Sequence, residues 1–600
     1  MRETDRFIHD RLPADFYEKI SKGEYNRNIY PPFSDREAWE KARQSRYANE
    51  IIARADNIEE NSVPVLLFSN YSQFNINGNR SEYESPYFRR RANLAYLALA
   101  MCLTGDKEKY MPRLMDHLIA IFEEWNWCLP AHIHWKEHGP YRWNHCDLFA
   151  AETGMVISLL HCILGEELGN DWQGLPEIIR TKTLDRTVNT ALYGDFVHDW
   201  LLTEAPMNWT VWCCSNCLFV TLLLENDSEK RLFAVKKFLE ATSRFIAYNP
   251  DDGYCPEGPS YYNKANLMVF QTLLLLDKVL PGCADKLFAD ARIKALAECI
   301  ANFRMGKSYV NSFSDSQPVL RVDWSRLLPT GKLLNSKPIL DMGALQEEIY
   351  GACGDYIGTC LSLLFDMPTA IPTEVPAGNP VNFYPGRMGI FRTENTSVSL
   401  KGGNNNEPHN HNDLGHFSLF SGNTPVIIDA GTGTYSKINF SDLRYTLWNT
   451  RGNGHNAPVF GEYEQISGKE FTATLDYDNA NTYRCDLAKA YPAEAGVETF
   501  VRTLSLNGDD VTVEDSFTLK KALPVTIRLL TTCTPEVLDD RTIQLGDITL
   551  SLENIVCSGT EQMPDLLYLP SKTRIWGNPV TALLLKTDAC NYKMLFKHNK

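Results

Sequence analysis

The residues best suited to chemistry form a histidine-rich run in the second half of the chain. His409 and His411 stand two apart in HNHNDLGH, which ends on His416. Asp429 follows the apolar run PVII, and His455 comes later in GNGHNAP. Residues two apart on a strand face the same side, so a carboxylate and another imidazole could join this pair in a zinc-like ligand set. The alternative is a group of surface histidines in a polar loop, and the spacing alone favours neither.

Two further groups of candidate functional residues lie in the part of the sequence whose pattern predicts helices. Asn208 opens an apolar run in which Cys214 and Cys217 have C-x-x-C spacing. No second such pair follows, so buried thiols are favoured over a metal or redox centre. Tyr261 and Glu257 belong to the turn-rich segment DDGYCPEGPSYY. Turns often present functional side chains. From chemistry alone, however, Asn208 is interpreted as a helix cap, Tyr261 as aromatic packing and Glu257 as a charge near the positive end of a helix.

The elements that must position these residues change type along the chain. Between residues 92 and 300, apolar runs with helical spacing alternate with connections rich in Gly, Pro, Asn and Asp. They include NLAYLALAMCL, DLFAAETGMVISLLHCIL and NLMVFQTLLLLDKVL. This pattern predicts successive antiparallel helical hairpins. No repeat of fixed period is visible.

A proline-rich stretch, MPTAIPTEVPAGNPVNFYP, separates this region from a region with a different sequence pattern. The runs after it are short, alternating and rich in β-branched residues, and Asn507-Gly508 is a hairpin signal. We therefore expect a helical domain over residues 1–370, a linker over 371–385 and an antiparallel β-sandwich over 386–600.

Composition narrows the class of partner. The 600 residues suffice for at least two cores, and the net charge of -16 with scattered Lys and Arg argues against nucleic acid. Arg89, Arg90 and Arg91 form a local basic cluster, interpreted as a solvated helix start. We expect no membrane partner, a cytoplasmic protein because no leader is visible, and reduced thiols for the 16 cysteines. The sequence does not decide whether the protein forms a homodimer.

Five segments in order resemble the heparinase II/III-like polysaccharide lyases. They are AAET from Ala150, MNWTVWCCSN from Met207, DDGYCPEGPSYY from Asp251, EPHNHNDLGHFSLFSGNTPVIIDAGTGTY from Glu407 and RGNGHNAPVFGEYEQ from Arg451. Each segment alone is weak evidence, and their shared order makes chance an implausible explanation. The resemblance extends over most of the chain and implies an incomplete helical (α/α) toroid followed by an antiparallel β-sandwich.

The resemblance also implies a reaction and a set of residue roles. Such enzymes cleave acidic oligosaccharides or polysaccharides by β-elimination at a uronic acid, which needs a carboxylate partner, a base and an acid. Asn208 matches the carboxylate-neutralising residue, Tyr261 the catalytic tyrosine and His409 the catalytic histidine of the second domain.

A metal site is implied by the same resemblance. His411, Asp429 and His455 match the zinc ligands of the family. Three protein ligands usually leave an open catalytic position. In this family, however, the ion is thought mainly to hold the loops of the sandwich against the toroid, and we expect a structural zinc.

One position departs from the family pattern. Many members have a histidine directly after the asparagine, where this chain has Trp209, whose indole cannot accept a proton. Proton abstraction is then left to Tyr261 or His409, with His132, His134, His138 and His145 as substitutes.

Two other functions remain open from the sequence. A glycoside hydrolase would need two carboxylates, for which Glu257 and Glu152 are the candidates. A non-catalytic carbohydrate-binding protein would keep the scaffold without turnover. The sequence does not identify the glycan or decide between cleavage within the chain and at its ends. For a protein without a leader, we expect imported oligosaccharides cut from their ends.

Overall fold

A computed structural model describes residues 2–60, 62–133, 145–194, 198–319, 321–346, 356–370, 372, 374–568 and 572–599. By its contacts, the chain divides into two compact units. The first unit comprises Met1–Gly253, Asn263–Ala297 and Val322–Thr373. The second comprises Tyr254–Tyr262, Glu298–Arg321 and Glu374–Lys600, so two short pieces from the helical part of the sequence belong with the sheets.

The first unit is helical. Its longer helices, and the short ones between them, have the following bounds: α1 Phe16–Lys22, α2 Arg36–Ala42, α3 Ala48–Asp56, α4 Phe68–Asn77, α5 Ser81–Thr104, α6 Lys107–Phe122, α7 Leu148–Asp171, α8 Leu175–Leu184, α9 Thr190–Tyr193, α10 Asp199–Leu202, α11 Asn208–Leu224, α12 Ser228–Tyr248, α13 Asn266–Val279, α14 Asp285–Phe288, α15 Ala291–Asn302, α16 Trp324–Leu333, α17 Lys337–Asp341 and α18 Tyr356–Phe365. The runs that predicted helices from apolar spacing all lie in these elements.

Helices α7 and α11 form the centre of this unit. Both are apolar on all sides and almost wholly buried, which is typical of core helices, and they pack against each other. A Cβ on Gly154 of α7 would meet Val220 of α11 at 2.9 Å, so the glycine allows the close approach. Among the described helices, α7 alone is long and apolar enough to span a membrane, but it is mostly buried within the protein.

The basic cluster in α5 differs from its interpretation as a solvated helix start. Arg91 is buried, and its guanidinium lies 2.7 Å from the buried carboxylate of Glu124 and 3.4 Å from the centre of the Tyr87 ring. Arg90 also contacts Glu124. Arg90 and Arg91 therefore share the Glu124 carboxylate, whereas Arg89 is exposed.

The second unit is built from antiparallel strands. Their bounds are β1 Arg304–Met305, β2 Tyr309–Val310, β3 Val381–Tyr384, β4 Met388–Arg392, β5 Thr396–Lys401, β6 Gly403–Asn405, β7 Phe417–Ser421, β8 Thr424–Ile427, β9 Pro458–Phe460, β10 Gly468–Tyr477, β11 Thr482–Asp486, β12 Val497–Asn507, β13 Asp510–Leu519, β14 Val525–Thr531, β15 Glu536–Asp539, β16 Thr542–Leu545, β17 Ile548–Glu553, β18 Val556–Gln562, β19 Leu567–Tyr568, β20 Thr573–Arg574, β21 Thr581–Thr587 and β22 Asn591–His598.

Three sheets account for most of these strands. One has nine strands in the order β15-β16-β17-β22-β13-β12-β11-β10-β6, one has five in the order β3-β4-β5-β7-β8, and one has four in the order β18-β21-β14-β9. Their inward side chains share one apolar core. Burial alternates along β13, as expected for a strand with one face on a core.

The predicted hairpin is present. Asn507 pairs with Asp510, so β12 and β13 are joined by a two-residue turn at Gly508-Asp509. Gly508 has a φ of 63°, the left-handed conformation that such a turn requires. The predicted change from helices to strands along the chain is also observed. Strand β3 lies in the segment that was expected to be a linker.

Candidate active site and metal centre

The segment Tyr254–Tyr262 is fixed within the second unit by a close backbone approach. Gly258 has a φ of 87°, and a Cβ there would lie 2.4 Å from Ser316 Oγ and 2.7 Å from the carbonyl oxygen of Phe313. The Ser260 amide donates to Ser316 Oγ, and the Gln317 amide donates to Ser260 Oγ. These contacts bring the segment that contains Tyr261 next to the loop that contains Asp315.

Tyr261 and His409 are direct neighbours. Their rings are stacked with centroids 3.9 Å apart and an interplanar angle of 27°. The Tyr261 hydroxyl lies 3.0 Å from the hydroxyl of Tyr435. Burial, together with nearby Tyr261 and Asp315, raises the pKa of Tyr435 well above its usual value. Tyr435 therefore stays protonated, and its hydroxyl faces two acceptors, the Tyr261 oxygen and the Asp315 carboxylate.

Asp315 lies between the two histidines of the H-x-H pair. Its Oδ2 is 2.9 Å from His409 Nδ1, and its Oδ1 is 3.1 Å from His411 Nε2. Arg444 donates to Oδ1 at 2.7 Å and also to the carbonyl oxygen of His409. Burial would raise the pKa of Asp315, but these partners outweigh it and hold the pKa well below its usual range.

The backbone presents His409 in an uncommon conformation. Its φ of 59° is in the left-handed region, which a non-glycine residue rarely adopts, so the surrounding contacts must hold it there. Beyond the ring edge bonded to Asp315, His409 Nε2 lies 3.8 Å from Glu257 Oε2. Two buried carboxylates therefore flank this imidazole.

His411, Asp429 and His455 come together as a second group. One donor atom from each residue lies within 4.8 Å of the others, and all three side chains are buried. His455 Nδ1 is 2.8 Å from Asp429 Oδ2, and the Gly431 amide donates to Asp429 Oδ1. Burial would raise the pKa of Asp429, but His455 and His416 hold it well below its usual range. The carboxylate is therefore ionised, as a metal ligand requires.

The three residues fit a metal ion. His411 Nδ1 and His455 Nε2 are buried and have no hydrogen-bond partner among the described residues. A buried ring nitrogen without a partner is costly, and coordination would remove that cost. The donor set of two imidazoles and one carboxylate is the type that binds zinc.

His416, the remaining histidine of the run, has another role. Its Nδ1 accepts from the Asn456 amide, and its Nε2 lies 3.1 Å from Ser418 Oγ. Burial lowers the pKa of His416 to about 4. Both ring nitrogens are thus occupied in a neutral imidazole, and His416 supports the site without being part of the ligand group.

Asn208 and Trp209 lie in the first unit, at the start of α11. Asn208 is buried, and its Oδ1 accepts from the backbone amide of Trp209. The Trp209 ring packs edge-on against His132, with centroids 4.8 Å apart. His132 Nδ1 lies 2.6 Å from the buried carboxylate of Asp147, which caps α7. A histidine held by a buried carboxylate therefore lies next to Trp209.

One other histidine candidate, His145, lies within the described residues. His145 stacks on His198, with centroids 4.7 Å apart. His134 and His138 lie outside the described residues. Among the described residues, His132 packs against Trp209.

Sequence reasoning missed Asp315, Tyr435 and Arg444. Asp315 lies in NSFSDSQP, a short polar run between apolar segments that has no recognisable spacing to the histidines. Tyr435 ends the segment EPHNHNDLGHFSLFSGNTPVIIDAGTGTY, where only the histidines and Asp429 were selected. No sequence motif marks Arg444, because its role depends on contacts that form only in the folded unit.

Comparison with known proteins supports the predicted resemblance. Residues 381–576 match the family model described as Heparinase II/III-like, C-terminal. The match includes His409 and the three residues of the candidate metal site. No curated protein sequence matches the chain.

Solved structures of polysaccharide lyases share the fold over nearly the whole chain. A crystal structure of heparinase III is similar with a TM-score of 0.58 and 14% identity, covering 98% of this chain and 94% of that one. The heparan sulfate lyase HepC from Pedobacter heparinus is similar with a TM-score of 0.52 and 13% identity, covering 86% of this chain and 77% of the other. A mutant form of the chondroitin AC lyase of Streptomyces coelicolor A3 has a TM-score of 0.51 and 10% identity, with 95% and 83% covered. The predicted fold class is confirmed: a helical N-terminal region precedes an antiparallel sheet region.

Proposed function

We propose that the protein is a polysaccharide lyase that cleaves uronic-acid-containing glycans by β-elimination. The observation that carries the proposal is the stacked pair of Tyr261 and His409, since an acid or base must be held in place by its neighbours. Asp315 orients the histidine and Tyr435 contacts the tyrosine hydroxyl. The fold shared with solved structures of polysaccharide lyases favours the same class of reaction.

The reaction can be written with these groups. A base takes the proton from C5 of the uronate, the electron pair forms the C4–C5 double bond, and the bond from C4 to the glycosidic oxygen breaks. That oxygen then takes a proton from an acid. Tyr261 and His409 are the proposed proton-transfer residues. A hydrogen bond from protonated Tyr435 would stabilise negative charge on the Tyr261 oxygen.

Negative charge that develops at the uronate carboxylate needs a partner. We assign this role to Asn208 on the family resemblance, because an amide can donate to a carboxylate oxygen. His132 is the proposed substitute for the histidine that many family members have after this asparagine. Its Nδ1 is bound by Asp147, as in histidines oriented for catalysis by a carboxylate.

Replacing His132 tests this assignment. We expect His132→Gln to lower kcat by about a hundredfold, the low end of the usual contribution of a positioned acid or base. Both Tm and the KM for a confirmed substrate should change little. His145→Gln is the matched control, because His145 is another histidine of the same segment and stacks on His198. Equal rates for the two variants would remove His132 from the mechanism.

We also propose that the metal is zinc and that it is structural. The donor set suits that borderline ion. Its ligands come from the H-x-H loop, the end of β8 and the loop before β9, so the ion would tie three segments of one unit together. When bound, zinc would supply this cross-link, while proton transfer remains with the side chains beside it.

A glycoside hydrolase is the competing function. Of its two candidate carboxylates, Glu152 lies on α7 of the first unit and Glu257 lies in the second unit beside His409. Asp315, on the other edge of that imidazole, accepts from three side chains and is held ionised. Asp315 is therefore not a third candidate for the general acid, which must be protonated before the bond breaks, and the reaction product decides between elimination and hydrolysis.

The experiment that tests the proposed function is a substrate screen. The purified protein is incubated with heparan, chondroitin, hyaluronan, alginate and their short oligomers, and ultraviolet absorbance is followed. A lyase produces a conjugated unsaturated uronate that absorbs. New reducing ends without absorbance would indicate hydrolysis, and binding without turnover across the panel would indicate a carbohydrate-binding protein.

A further inference from the structure

Asp315 contacts both the proposed proton-transfer residue His409 and the candidate metal ligand His411. One carboxylate oxygen faces His409, and the other faces His411 and Arg444. The carboxylate is fully buried, which strengthens these bonds by shielding them from bulk solvent. An ionised carboxylate can only accept hydrogen bonds, and therefore each ring nitrogen that faces it must carry a hydrogen.

This requirement fixes which nitrogen of each ring is available. His409 donates from Nδ1 to Asp315, so a neutral His409 has its lone pair on Nε2. His411 donates from Nε2 to the same carboxylate, so a neutral His411 has its lone pair on Nδ1. Nδ1 of His411 is also the buried nitrogen that has no hydrogen-bond partner among the described residues.

We propose that Asp315 is a positioning residue that sets opposite tautomers in His409 and His411 and so joins the metal site to the proton-transfer site. His411 then binds the metal through Nδ1, and His409 exchanges protons through Nε2. Arg444 supports the arrangement by neutralising Asp315 and by holding the backbone carbonyl of His409. Without this carboxylate, either ring could rotate or take the other tautomer.

The two tautomers can be measured directly. Selective nitrogen-15 labelling of the histidines, followed by long-range correlation NMR of the zinc-loaded protein, reports which ring nitrogens carry hydrogen. Signals are assigned by loss in His409→Gln and His411→Gln. We expect hydrogen on Nδ1 of His409 and on Nε2 of His411. The opposite tautomer in either ring would overturn the proposal, whatever the protein's activity.

Asp315→Asn provides the second test. An amide offers one accepting oxygen and one donating group, so it cannot accept from both histidines. We expect zinc affinity, measured by competition with a chelating dye, to fall about 10- to 100-fold, the usual cost of losing an outer partner of a ligand. On a confirmed substrate, kcat should fall by at least about tenfold, with KM little changed.

Asp515→Asn is the matched control. Asp515 is a buried carboxylate of the same unit, but it pairs with Arg502 and Tyr592 within the nine-stranded sheet. We expect its loss to lower Tm and to leave zinc affinity and kcat unchanged at a temperature where the protein is folded. If both variants lose zinc affinity only in proportion to stability, or if Asp315→Asn keeps wild-type affinity, the positioning role is wrong. The rate measurement rests on the proposed lyase activity, whereas the NMR and zinc measurements do not.

Discussion

Tyr261→Phe should reduce kcat by roughly two to four powers of ten, the usual contribution of a positioned acid or base. The substitution keeps the ring, so stacking on His409 remains, and removes only the hydroxyl bonded to Tyr435. Loss of one hydrogen bond costs about 1 kcal/mol, so the Tm should stay near wild type. Steady-state kinetics on a confirmed substrate and thermal unfolding of the same preparation check both expectations.

Tyr262→Phe is the control for this experiment. Tyr262 is the next residue in the chain, and its side chain is fully buried in the core. Removing its hydroxyl can alter stability but should leave kcat near wild type. Near wild-type turnover by Tyr261→Phe would contradict the catalytic assignment and move attention to His409.

His411→Ala should instead remove the metal and destabilise the protein. We expect the wild-type protein to contain about one zinc ion per chain, and the variant to contain almost none after the same purification. A ligand that binds only the folded state adds to its stability, so Tm should fall by roughly 2–4 °C for each kcal/mol of lost binding. Activity should fall as a consequence of the lost geometry. Metal analysis and thermal unfolding with and without a chelator measure these effects.

His598→Ala is the matched control for the metal prediction. His598 lies at the end of β22 in the same unit and contacts Thr396, away from the candidate ligands. Its loss should leave the zinc content unchanged. The assignment would fail if wild-type protein that never met a chelator lacked a stoichiometric transition metal, or if His411→Ala retained it.

The elements were predictable where one physical rule dominated. Helices α7 and α11 have long apolar runs, and β12 and β13 have alternating runs joined by a turn that needs a glycine. The assignment of Tyr254–Tyr262 to the sheet-containing unit was not predictable. It depends on the fit of Gly258 against Ser316 and Phe313, a contact between distant segments that local pattern does not encode.

Only part of the candidate site was predictable from the sequence. His411, Asp429 and His455 were selected because their residue types suit a metal, and the structure brings them together. Asp315 could not be selected, because a single aspartate in a polar turn is ordinary until folding places it between two histidines. Arg91 shows the opposite error: an arginine in a basic run suggested solvent exposure, but a partner from another helix, Glu124, allows its burial.

The central claim is that the bond breaks by elimination, and the fate of solvent oxygen tests it most directly. A confirmed oligosaccharide substrate is digested in oxygen-18-enriched water, and both fragments are analysed at once by mass spectrometry. β-Elimination adds no water, so we expect two fragments whose masses sum to that of the substrate, one of them an unsaturated uronate. Fragments that together gain one water, with oxygen-18 incorporated at the cleavage site, would show hydrolysis and contradict the account.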